Sequence, residues 1–155
     1  MMSIRPCRST EALSLWVQMN RSDFQFLAVI RLDEAGSLLK NKFYSGAYYL
    51  GGYAVECALK ACISKQTQRY DFPDKQRALD SWQHSLMNLV KTAGLEASLN
   101  AEIGADQGFA SNWNVVKDWS EQSRYTQMDE RNAEALIQAI SDRRHGVLRW
   151  LRRHW

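Results

Sequence analysis

The stretch FYSGAYYLGGYAVECALKACISK, residues Phe43–Lys65 of a 155-residue chain, decides the fold. Wound as a helix, it sets Tyr44, Ala47, Tyr48, Leu50, Ala54, Val55, Ala58, Leu59, Cys62 and Ile63 around most of its circumference. A helix apolar on nearly every side belongs in the middle of a bundle. Its glycines, Gly46, Gly51 and Gly52, would each cost about 1 kcal/mol relative to alanine in an exposed helix. They are accounted for if neighbouring helices approach closely there. Glu56 and Lys60 stand four apart in the favourable order, which predicts an intrahelical ion pair of roughly 0.2–0.5 kcal/mol.

Working outward, Asp23 is a plausible N-cap for a preceding helix in which Phe24, Leu27, Ala35, Leu38 and Leu39 recur at three- and four-residue steps to about Lys40. Residues 1–22 read as a leader loosened by Pro6, with a possible short helix around Ser9–Met19. Downstream, Phe72-Pro73-Asp74 signals a loop, and Leu86, Leu89, Val90 and Ala93 mark a third helix that stops at Gly94. A fourth pattern covers roughly Glu96–Trp119, with Gly104 and Gly108 as candidate breaks. Asp129 can cap a long last helix whose buried stripe, Ala133, Leu136, Ile137, Ile140, Val147, Leu148, Leu151 and Trp155, reaches the end of the sequence. The expected fold is an all-α, up-and-down bundle of four to five main helices in one domain, residues 23–155.

Composition agrees. Only 8 Gly and 2 Pro punctuate the chain, too few turn signals for a β-sandwich, and 45% hydrophobic with 24% charged residues is ordinary for a globular domain. Twenty Lys+Arg against 17 Asp+Glu give a net +3, too mild to name a partner by itself. Cys7, Cys57 and Cys62 are odd in number and lack CxxC spacing, so neither a disulfide framework nor a zinc site is expected, and Cys57 and Cys62 read as small core residues. No run approaches the roughly 18 apolar residues of a membrane span, and Met1–Met19 lacks the features of a signal peptide. A cytoplasmic protein with no membrane contact and no cofactor is expected.

Three segments together resemble the HEPN superfamily of small prokaryotic helical bundles. Gly46-Ala47-Tyr48-Tyr49-Leu50-Gly51-Gly52-Tyr53-Ala54-Val55-Glu56-Cys57-Ala58-Leu59-Lys60 is similar to that family's AYYLxGYAxExxLK helix. His84-Ser85-Leu86-Met87-Asn88-Leu89 is similar to its HxLxxL helix start, and Trp119-Ser120-Glu121-Gln122-Ser123-Arg124-Tyr125 to its WxxxxRY element. The resemblance covers roughly Asp23–Trp155. It implies a homodimer associated with RNA or nucleotides. Some such proteins are metal-independent endoribonucleases, toxins of toxin–antitoxin or defence systems encoded beside a nucleotidyltransferase partner, with an Arg-x4–6-His motif meeting its copy across the dimer. Others lack the motif and serve as non-catalytic binding or interaction modules.

Two pairs fit that spacing: Arg77 with His84, and Arg149 with His154. In a straight helix Arg149 and His154 point about 140° apart. Metal-free RNA cleavage needs a proton-moving group such as His and a cation such as Arg for the phosphorane charge. His84 would be the acid/base and Arg77 the phosphate clamp; alternatively His84 packs the start of its helix and Arg77 is solvated. Arg124 and Tyr125 either grip a phosphate and stack a base, or form a latch in which Arg124 neutralises Glu56; the latch is the favoured reading, because Glu56 on an apolar helix needs a partner. Finally, Arg143, Arg144, His145, Arg149, Arg152 and Arg153 give the last helix a basic face suited to a phosphate backbone or an acidic protein.

Overall fold

A computed structural model describes residues 19–67 and 75–155. The reading of a possible helix at Ser9–Met19, and that of the loop at Phe72-Pro73-Asp74, concern residues that lie outside these, save Met19. Among the described residues there are eight α-helices, one 3-10 helix and no strand. The all-α expectation holds.

Helix α1 spans Arg21–Lys40. Its N-cap is Asn20 rather than Asp23: the Asn20 side chain accepts from the Asp23 N–H at 3.1 Å, and the Asp23 carboxylate accepts from the Asn20 N–H at 2.9 Å. Asp23 thus closes a reciprocal capping box from the third helical position. A tight turn with Lys42 at φ 64° leads into α2, Tyr44–Lys65, antiparallel to α1. Helix α2 is the axis of the molecule, with Ala54, Val55, Cys57, Ala58 and Leu59 buried and α1, α4, α7, α8 and the 3-10 helix around it. At Gly52 the neighbour is a side chain: a Cβ there would lie 2.2 Å from the Trp119 indole. Gly46 and Gly51 are less constrained, at 3.2 and 3.4 Å from Leu38 and Ile137.

Two short helices follow, α3 at Lys75–Ser81 and α4 at Leu86–Thr92, the latter capped by Ser85 and closed by Gly94 at φ 67°. The expected helix from Glu96 to Trp119 is two helices, α5 at Glu96–Ala105 and α6 at Gln107–Val116. The break falls on Asp106, between the two suspected glycines. Asp106 has extended backbone and its carboxylate accepts from the Phe109 N–H at 3.0 Å, so one residue ends α5 and caps α6. The 3-10 helix Glu121–Tyr125 then precedes α7, Glu130–Ser141, whose cap is Asp129 as expected.

The long last helix is also divided. Asp142 ends α7, its carboxylate accepting from the Arg144 and His145 N–H groups at 2.7 and 2.8 Å, and α8 begins only at Val147 and ends at Arg152. Gly146 makes that turn possible: a Cβ there would meet the Asp142 carbonyl at 2.2 Å. Counting α5–α6 and α7–α8 as interrupted rods, four main helical levels run up and down. Ser45 lies beside Met128 and Gly51 beside Leu136 and Ile140, so α2 and α7 share a direction, whereas the start of α6 meets the end of α7. Trp150 of α8 seals the interior against Phe109 and Trp113, with ring centroids 5.5 and 6.3 Å away.

Candidate functional site

Burial of Glu56 on the axial helix sets the first requirement. A carboxylate only 1% exposed is tolerated when cationic or donor groups answer it. Lys60, one turn on, donates to Glu56 Oε1 at 2.8 Å, so the expected intrahelical pair is present. The second partner is His84, whose Nδ1 lies 3.0 Å from the same oxygen. The loop before α4 positions it: Ser85 caps that helix, and Leu86 and Leu89 anchor it in the core.

From His84 the polar contacts continue outward. Its Nε2 is 3.2 Å from Glu121 Oε2 on the 3-10 helix, and Glu121 in turn lies 3.7 Å from Arg124 Nη2. The Arg124 guanidinium rests 5.0 Å from the centroid of the Tyr125 ring. The ladder leads from the buried Glu56, 1% exposed, to solvent at Tyr125, 77% exposed, through side chains of His84, Glu121 and Arg124 that are 45%, 27% and 44% exposed. The latch expected between Arg124 and Glu56 is therefore not made. Glu121 takes Arg124 instead, because three residues apart on a 3-10 helix their side chains eclipse. Glu56 Oε2, Trp119 Nε1 and Ser123 Oγ are each buried without a hydrogen-bond partner among the described residues.

His84 has a carboxylate at each ring nitrogen. Held between the two, its ring suits a strut between α2 and the 3-10 helix better than a group exchanging protons with a substrate. Arg77 falls on α3, and its side chain is outside the described residues, so its pairing with His84 is too. Beside His84, Leu79, Trp82 and Met87 are exposed apolar side chains that the charge-centred reading passed over.

Nor is the C-terminal arginine face one continuous helix face. Arg143, Arg144 and His145 sit in the α7–α8 turn. Arg153 pairs with Glu102 at 2.7 Å, and the Arg152 guanidinium lies 5.7 Å from the Trp155 ring centroid. Arg149 is exposed and makes no ion pair among the described residues. His154 lies beyond the end of α8, with Nε2 3.1 Å from Ser98 Oγ and its ring edge-on to Trp150. Burial holds its pKa below the ordinary histidine value.

Compared with known proteins, the chain matches no family model, no curated protein and no solved structure. The segments Gly46–Lys60, His84–Leu89 and Trp119–Tyr125 meet in one place: Glu56 and Lys60 come from the first, His84 from the second, Trp119 and Arg124-Tyr125 from the third. The two described cysteines take no part. Burial pushes the Cys57 thiol up to about 11 and that of Cys62 to about 12, leaving both as inert packing groups. No group of three or more His, Cys, Asp and Glu among the described residues is disposed to hold a metal, and no described helix is long and apolar enough to cross a membrane.

Proposed function

We propose that this chain is a HEPN-like helical module that binds single-stranded RNA or a nucleotide at the outer end of the Glu56–His84–Glu121 ladder. The observation that carries this reading is the Arg124 guanidinium lying over the open Tyr125 ring. A guanidinium offers a fork of N–H donors to phosphate, and an open phenol ring offers a stacking face to any base. The ladder behind them ties the short 3-10 helix to the core, so the pair is held out to solvent on a rigid base. In this reading Glu56, Lys60 and His84 position the site, and Arg124 and Tyr125 touch the ligand.

The test is fluorescence anisotropy with a labelled single-stranded oligoribonucleotide at low salt. Tyr125→Ala is expected to weaken binding about tenfold, the lower part of the ~1–3 kcal/mol range for one base stack. Arg124→Lys, which keeps the charge but loses the fork, is expected to fall between wild type and Arg124→Ala. Absence of any RNA or nucleotide affinity in the wild type would sink the reading. It would favour the second one, a non-catalytic partner of a nucleotidyltransferase-type protein, for which Leu79, Trp82 and Met87 on and between α3 and α4 supply exposed apolar side chains.

A further inference from the structure

Of the aromatic side chains in the described residues, Trp82 and Tyr125 are the most open, each 77% exposed. Tyr125 is the stacking ring of the proposed site. Trp82 stands at the other end of the same run of contacts. It lies two residues before His84, whose Nε2 is 3.2 Å from Glu121 Oε2, and Glu121 is 3.7 Å from Arg124 Nη2. The rings come from different elements, Trp82 from the α3–α4 loop and Tyr125 from the 3-10 helix, and the His84–Glu121 contact joins the two.

Trp82 is held on a firm base. Its backbone N–H donates to the Leu79 carbonyl at 3.1 Å, closing the last turn of α3. The next residue, Gln83, accepts from Asn88 Nδ2 on α4 at 2.8 Å, and Leu86 and Leu89 anchor α4 in the core. The indole itself makes no ring contact among the described residues, whereas Trp113, Trp119 and Trp150 each pack on another ring. A ring of that size left in water adds little burial to the fold; what it offers is a π-face. The class of ligand follows from what lies between the two open rings, an imidazole, a carboxylate and a guanidinium. The centre of a protein interface is depleted of charge. Open rings alternating with a cation suit a single nucleic-acid strand instead, whose bases stack while its phosphates meet positive charge.

We infer that Trp82 is a second base platform of the same site, so that the ligand is a single RNA strand of two or more nucleotides and not a mononucleotide. This rests on the RNA-binding reading and narrows it. One base stacks on Tyr125, a neighbouring phosphate meets Arg124, the strand crosses the His84–Glu121 contact, and another base stacks on Trp82. Because every base has a π-face, such a site tolerates any sequence and selects for length and for unpaired bases.

The experiment is competition on the full chain at low salt. Unlabelled adenosine monophosphate and short oligoadenylates of increasing length displace the labelled oligoribonucleotide, read by anisotropy. Affinity is expected to rise with length until both rings are occupied and then to level off. Trp82→Ala is expected to weaken the longer oligomers about tenfold, one base stack, and to leave displacement by adenosine monophosphate unchanged, since a lone nucleotide reaches only Arg124 and Tyr125. Trp82→Phe keeps a stacking face and should recover most of the loss. Oligoadenylate should also shield Trp82 from acrylamide, read as the difference in quenching between wild type and Trp82→Phe, while Leu79→Ser and Met87→Ser leave RNA affinity unchanged. Equal affinity for adenosine monophosphate and the oligomers, or an oligomer affinity unmoved by Trp82→Ala, would overturn the second platform, assign the indole to a protein-docking face and leave the binding reading standing. A labelled strand that does not bind at all would overturn both.

Discussion

Two glycines separate backbone need from accident. At Gly52 a methyl group would sit 2.2 Å from the Trp119 indole, a buried ring with no room to retreat, so Gly52→Ala is expected to cost about 1–3 kcal/mol in urea denaturation and to loosen the joint between α2 and the 3-10 helix. A methyl at Gly104, inside α5, meets nothing within 4 Å, and Gly104→Ala should instead stabilise by roughly 0.5–1 kcal/mol. Glu56→Ala leaves Lys60 and the partly exposed His84 without their shared acceptor and is expected to cost about 1–3 kcal/mol. The Glu56–Lys60 pair was legible from spacing because it lies within one helix. The partners of His84 and Arg124 were not, because charge alone does not say which of several carboxylates a fold delivers: Glu121 was closer to Arg124 in the chain and proved closer in space.

Elements were misread where aspartate overrode periodicity. The apolar spacing resumes in register after a gap of six polar or glycine residues, from Leu136 and Ile140 to Val147, Leu148 and Leu151, since both α7 and α8 bury one face in the same core. What divides them is Asp142 capturing two following N–H groups, with Gly146 permitting the turn; Asp106 does the equivalent between α5 and α6. Both carboxyls are held below their usual range, Asp106 chiefly by His145 and Asp142 chiefly by the His145 N–H. The unfolded carboxyl therefore takes up a proton at higher pH than the folded one. Their support is complete above about pH 4 and is lost as pH falls through the lowered native values. His154 adds a second window: burial disfavours its charged form, so the unfolded chain binds the proton first and stability declines as pH drops below about 6.5. Denaturation midpoints measured from pH 8 to pH 3 should show both declines. The upper one should vanish in His154→Gln, and the lower one should shrink in Asp142→Asn.

Across the whole molecule, the bundle and its axial helix were readable from residues 43–65 because burial on every side leaves a helix only one place to go, whereas the distribution of usable charge was not. The C-terminal arginines look equivalent in sequence but occupy different states: Arg153 is tied to Glu102 and Arg152 lies against Trp155, while Arg149 is open. An arginine held to a carboxylate at 2.7 Å, as Arg153 is, must break that pair to meet a phosphate; one in a loose 3.7 Å pair, as Arg124 is, keeps donors to spare, and an open one, as Arg149 is, need only shed its counterions. For single-stranded RNA each phosphate contact contributes roughly 0.7 to the slope of log K against log salt. Arg149→Ala is therefore expected to weaken RNA binding and flatten that slope by about 0.7, whereas Arg153→Ala should leave the slope unchanged and be felt in stability through the abandoned Glu102. Equal effects of the two substitutions on the slope would mean that the strand pulls Arg153 away from Glu102, and that the basic end of the bundle rearranges to receive it.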